Sequence, residues 1–176
     1  MPVYGSQWRN FNSENCDQIK NLIDEAKKNP SSRRLMVSAW NPLQLNKMTL
    51  PPCHYGFQLN IDGEYIDLSW NQRSCDFAVG IPYNLTSYYV LLSIFARILN
   101  KKTRYLVGHL GNVHVYKNHV DNLKIQLDRI PFNTESTRLE IDERLITLQD
   151  FENATSNDFK LINYNHHPFL SYQMAI

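Results

Sequence analysis

The chain has no long apolar run, almost no net charge and few cysteines, and each absence closes off a class of protein. Eighteen Lys and Arg face seventeen Asp and Glu, for a formal net charge of +1. No global field therefore draws the chain to nucleic acid or to an anionic membrane, and any anion site must be local. The most apolar stretch, residues 85–99, contains Arg97 and is shorter than the roughly 20 residues a spanning helix needs, so no membrane partner is expected. The opening Met1-Pro2-Val3-Tyr4-Gly5 has neither the basic lead nor the apolar core of a secretory signal, which points to a cytoplasmic protein. Three cysteines, Cys16, Cys53 and Cys75, make an odd number without ligand spacing. That argues against a disulfide framework and against a structural zinc, and free thiols are expected. What is present is an ordinary globular composition, 176 residues with 43% hydrophobic and 12% aromatic. It suits one domain of about 100–200 residues, and no repeat, linker or charge block divides it.

The pattern along the chain mixes helices and strands. Ile19, Leu22, Ile23 and Ala26 recur at helical spacing between the polar run at 12–15 and the stop Asn29-Pro30, which predicts an amphipathic helix. Residues 34–40 (RLMVSAW) read as a short strand closed by Asn41-Pro42. Asp62-Gly63 sits between two strand patterns, 55–61 and 64–72, and supplies the positive φ of a tight hairpin turn. Ile66, Leu68 and Trp70 alternate with polar neighbours, as a strand with one buried face does. Asn84 is placed to start a central helix whose apolar face is Leu85, Tyr88, Tyr89, Leu92, Phe95, Ala96 and Leu99. Beyond it, strands are expected at 104–109 and 113–115, a helix over 118–127, and further strands near Leu139, Phe159 and Tyr172. The class is α+β.

Several residues carry chemistry. Cys53 follows Pro51-Pro52 and precedes His54. A thiol is nucleophilic as thiolate, but a single cysteine also serves as a small buried hydrophobe, and the pentapeptide alone leaves both open. Arg33-Arg34 and Arg73-Ser74 lie at strand ends, where guanidinium forks suit phosphate oxygens and solvated surface charge is the alternative. His114 and Tyr116, two apart on an expected strand, share a face and suit either a sugar hydroxyl or a structural pairing. Asn84 either caps its helix or offers an amide to a pyrimidine edge. His166-His167-Pro168 has no further ligand at metal spacing and reads as loop, so no metal is expected.

Together these blocks resemble the thymidylate synthase family over nearly the whole chain. The resemblance rests on Pro2-Val3-Tyr4-Gly5 with Gln7-Trp8-Arg9, Ser32-Arg33-Arg34, Ser38-Ala39-Trp40-Asn41, Pro52-Cys53-His54, Gln72-Arg73-Ser74-Cys75-Asp76, Gly80-Ile81-Pro82-Tyr83-Asn84, His114-Val115-Tyr116 with Asn118-His119, and the final Met174-Ala175-Ile176. It implies a mixed or antiparallel sheet packed with helices, one sheet face forming a homodimer interface. It implies reductive methylation of dUMP to dTMP, with the co-substrate 5,10-methylenetetrahydrofolate giving carbon and hydride and Cys53 adding covalently to C6 of the uracil. Arg73 and Ser74 would hold the nucleotide phosphate, with Arg73 also near the Cys53 sulfur, and Arg33 and Arg34 would reach the partner's nucleotide across the dimer. Asn84 would read the uracil edge, and His114 and Tyr116 the deoxyribose, with Gln72, Cys75, Asp76 and Val115 completing the nucleotide set. Asp76, Gly80, Ala175 and Ile176 would meet folate, with Tyr4 and His54 in support.

Against the family, the chain begins about a third of the way along, with Met1 where Gly usually precedes Pro-Val-Tyr-Gly. The family's earlier part carries another phosphate-binding Arg, a Glu that relays protons near C4 and a cofactor-packing Trp. The expectation is therefore weak or absent turnover by this chain alone, as loss of an acid/base group commonly costs about 10²–10⁴ in rate. A dUMP hydroxymethylase and a catalytically silent nucleotide- or RNA-binding fragment are the competing functions.

Overall fold

A computed structural model of the chain describes residues 2–132 and 136–174. Helices α1 (Tyr4–Arg9) and α2 (Gln18–Lys28) lead into a four-stranded sheet of β1 (Met36–Ser38), β2 (His54–Asp62), β3 (Tyr65–Asp76) and β4 (Lys102–His114), hydrogen-bonded in that order. The first three pair antiparallel and β4 joins β3 in parallel, so the sheet is mixed and the α+β class holds. Parallel neighbours need a crossover, which α3 (Gly80–Ile98) provides. A separate antiparallel pair, β5 (Arg138–Ile141) and β6 (Phe159–Ile162), lies beyond α4 (Val120–Leu127), with α5 (Leu148–Glu152) between its strands.

Local chemistry accounts for the elements. Gly63 turns the β2–β3 hairpin at φ 57°, a conformation that costs glycine little. The Asp17 side chain accepts from the Lys20 N–H at 2.9 Å and caps α2. Ile19, Leu22, Ile23 and Ala26 from α2 meet Phe57, Leu59, Ile66, Leu68 and Trp70 from the sheet, and Tyr88, Leu92, Phe95 and Ala96 from α3. Each large side chain buried there contributes about 1.5–3 kcal/mol.

Four expectations are corrected. The strands at 104–109 and 113–115 are one strand, because Gly108 and Gly111 are close-approach residues: a Cβ at 108 would lie 2.5 Å from the Trp70 ring, and one at 111 would lie 2.9 Å from the Arg73 carbonyl. Helix α3 starts at Gly80, with Asn84 inside it, because the Asp76 carboxylate accepts from the Ala78 and Val79 N–H groups and Pro82 is tolerated in a first turn that lacks partners for its N–H groups. Leu85 and Tyr89 are exposed at 47% and 42%, since their row runs beside the buried row of Tyr88 and Leu92. Tyr172 lies in extended chain outside any strand, its hydroxyl donating to Gln126 Oε1 at 2.8 Å.

Candidate active site

Cys53 stands immediately before β2, half-buried, and its main chain is held on both sides. Its N–H donates to the Tyr4 hydroxyl at 3.0 Å, and its carbonyl accepts from the Arg73 N–H at 2.9 Å. The two prolines before it have no N–H, but their carbonyls accept from Arg73 Nη2 at 2.8 Å (Pro51) and from Nε at 3.0 Å (Pro52). Arg73 also lies 5.8 Å from the Trp40 ring centroid. The guanidinium expected to hold a phosphate thus first holds the loop that carries the thiol.

Neutral polar groups surround this loop. His54 stacks on Tyr4 with centroids 4.0 Å apart, and its Nδ1 lies 2.9 Å from the Tyr88 hydroxyl. Burial pushes His54 down to about 4 and raises both phenols above their ordinary value. The imidazole is therefore uncharged near neutral pH and orients through hydrogen bonds alone.

The carboxyl ends of the parallel strands β3 and β4 gather most of the remaining residues. Gln72 is 3% exposed, and its Nε2 donates to Asn84 Oδ1 at 2.9 Å and to the Ser74 carbonyl at 3.1 Å. Cys75 is wholly buried, its thiol facing the Gln72 carbonyl at 3.7 Å. Asp76 pairs in register with His114, whose ring meets Tyr116 edge-on at 5.1 Å. The strand ends at His114, so Tyr116 reaches this contact from the following turn, with exposed Val115 between. Gly80 packs tightly, since a Cβ there would meet the Asp76 Cβ at 3.3 Å.

Two groups stand apart from this cluster. Arg33 and Arg34 are exposed on the turn before β1, at the sheet edge opposite β4, and neither guanidinium has a hydrogen-bond or ion-pair partner among the described residues. Ala175 and Ile176 lie outside the described residues. His166 and His167 are engaged with the backbone, at the carbonyls of His167 and Ile130.

The structure adds features that sequence reasoning missed. Val79, Pro82, Tyr83, Tyr164, Phe169 and Tyr172 line an open cavity of about 730 Å³ flanking Gly80. Buried His119 accounts for the chain end beside it: Nε2 lies 2.6 Å from the Gln173 carbonyl, while Nδ1 has no hydrogen-bond partner and sits 3.9 Å from Asp76 Oδ1. Trp70 donates to Gln72 Oε1 at 3.1 Å. Alternation marks Trp70 as core, but nothing in the pattern marks that bond.

The layout defines an α+β protein organised around one positioned cysteine, with a tethered amide cluster and a mainly apolar cavity close by in the fold. The family model described as thymidylate synthase matches residues 1–176. Over 99% of its length the chain is 40% identical to a thymidylate synthase of Mycoplasma genitalium, covering 58% of that protein. It is 41% identical to a probable thymidylate synthase of Escherichia phage T5, covering 62% of it, and 41% identical to a bifunctional dihydrofolate reductase-thymidylate synthase of Leishmania major, covering 35% of it. The chain belongs to the thymidylate synthase family. It spans 58% and 62% of the length of the mycoplasma and phage relatives.

Proposed function

We propose that the chain acts as a thymidylate synthase, converting dUMP to dTMP through covalent catalysis by Cys53. The observation that carries this reading is a cysteine whose main chain and preceding loop are held by Tyr4 and Arg73, together with an Asn84 amide held by Gln72. The Cys53 sulfur adds to C6 of the uracil, the C5=C6 pair moves toward O4, and C5 becomes the nucleophile. Once C5 has bonded the one-carbon unit, the C5 proton leaves as the C–N bond to folate breaks, and hydride reaching that carbon expels the Cys53 sulfur and restores the ring. 5,10-methylenetetrahydrofolate supplies the one-carbon unit and the hydride.

The chain's own residues bind and orient. Asn84 faces the base edge, Ser74 and the remaining guanidinium N–H groups of Arg73 face the phosphate, and His114 with Tyr116 faces the sugar. The folate fits the cavity flanking Gly80, whose about 730 Å³ is the size of an ordinary small-molecule site. Asp76, two residues before the cavity-lining Ala78, would receive the pterin, and Ala175 and Ile176 would close over it.

A homodimer is part of the same proposal. Tyr105, Val107 and Val113 share one parity on β4 and are 61%, 44% and 49% exposed, so with exposed His109 among them they form a mainly apolar stripe that a second copy would cover. The unpaired guanidiniums of Arg33 and Arg34 are free to reach across it to the partner's nucleotide.

The test is intact-mass measurement after mixing the chain with 5-fluoro-dUMP and methylenetetrahydrofolate. A ternary adduct that disappears in Cys53→Ser is the expected result. A folded dimer that forms no adduct would sink autonomous catalysis by this chain.

A further inference from the structure

The two ends of the Asn84 amide do opposite things, and a ligand reads only the end it meets. What decides the orientation lies outside the site. An indole N–H can only donate, and that of Trp70 donates to Gln72 Oε1 at 3.1 Å. A backbone carbonyl can only accept, and that of Ser74 takes a bond from Gln72 Nε2 at 3.1 Å. The partners therefore assign both ends of Gln72, and Nε2 is the end that faces Asn84. Asn84 must answer with Oδ1, which leaves Nδ2 as a donor with no hydrogen-bond partner among the described residues.

Trp70 is itself clamped. It is 3% exposed and stacks on Tyr88 with centroids 5.1 Å apart and planes 11° off parallel. Gly108 on the neighbouring strand leaves room for its six-membered ring, where a Cβ would intrude to 2.5 Å. The indole N–H thus has little freedom to leave Gln72.

We propose that Trp70 is a specificity-positioning residue: acting through Gln72, its N–H holds the Asn84 amide in the orientation that accepts a 4-oxo pyrimidine and refuses a 4-amino one. The inference rests on the nucleotide reading above. Uracil presents an N3–H donor beside an O4 acceptor, and cytosine presents an acceptor beside an amino donor. With the amide held as described, Nδ2 donates to O4 and the second lone pair of Oδ1 accepts from N3–H. The flipped amide matches cytosine. Without the indole N–H, a buried acceptor on Gln72 is unpaired in the observed orientation, and the lock loosens, although the Ser74 carbonyl still opposes a full reversal.

The test uses the full chain with Trp70→Phe and, separately, β-(3-benzothienyl)alanine at position 70, which keeps the ring volume and removes only the N–H. The Kd values for dUMP and dCMP are measured by calorimetry, and the side-chain amide signals of Gln72 and Asn84 are followed by NMR without ligand. The expected result is a lowered but still cooperative melting transition, a fall of about tenfold in the preference for dUMP over dCMP, and doubled or exchange-broadened amide signals. Retained preference with unchanged amide signals overturns the inference, as does an equal weakening of both nucleotides, which marks a merely structural role. A wild-type chain with no preference for dUMP overturns the nucleotide reading and this specificity role with it.

Discussion

His54 shows how burial sets the state of a single side chain beside the thiol. Its ring is packed against Tyr4 and bonded to Tyr88, and desolvation brings it from 6.5 to about 4. Between those values the unfolded chain binds a proton that the folded chain refuses, so His54's contribution to stability is full above about pH 6.5 and is lost progressively toward pH 4. After allowance for partial exposure the loss is on the order of 2 kcal/mol. Urea midpoints measured from pH 7.5 to 4 are expected to fall less steeply in His54→Asn than in the wild type, and parallel curves would refute the assignment. The family resemblance, of which Pro52-Cys53-His54 is one block, implies His54 as a supporting residue. Its neutrality was not legible there, because nothing near it in sequence indicates Tyr4 or Tyr88 above and beside the ring.

At the scale of elements, the clearest case is the fit between β3 and β4. Trp70 and Gly108 are register partners on parallel strands, and the indole fills the space a side chain at 108 would take. Gly108→Ala is expected to destabilise the fold by about 1–3 kcal/mol, as overpacking does, seen as a lower melting temperature. A variant as stable as the wild type would show that the sheet yields at that point. The β2–β3 hairpin was readable because Asp62-Gly63 lies between two alternating patterns, and α2 because its apolar spacing is clean. In sequence the glycines at 108 and 111 divide β4 because glycine looks like punctuation, whereas in the sheet they mark where Trp70 and the β3 backbone come close. The start of α3 is hidden for a related reason: the turn that leads into it is set by Asp76, at the end of the preceding strand, which accepts from the Ala78 and Val79 N–H groups.

For the whole molecule, the sheet has one face on the helices and one bearing the exposed Tyr105, Val107 and Val113. Val107→Asp places charge in the middle of that stripe and is expected to shift the chain from dimer to monomer in sedimentation analysis. An unchanged mass would remove this face as the interface. Among the described residues no helix is long and apolar enough to cross a membrane. The sequence by itself determined the fold class and the family and singled out Cys53, Arg73, Asn84 and Asp76 as candidates, because motif order and the periods of strand and helix are local properties that survive without coordinates. Only the tertiary structure decided that Arg73 holds the Pro51 and Pro52 carbonyls, that His119 ties the chain end beside Asp76, and that Trp70 assigns the Gln72 amide. Those bonds depend on direction and distance between groups brought together by the sheet, and a linear pattern carries neither.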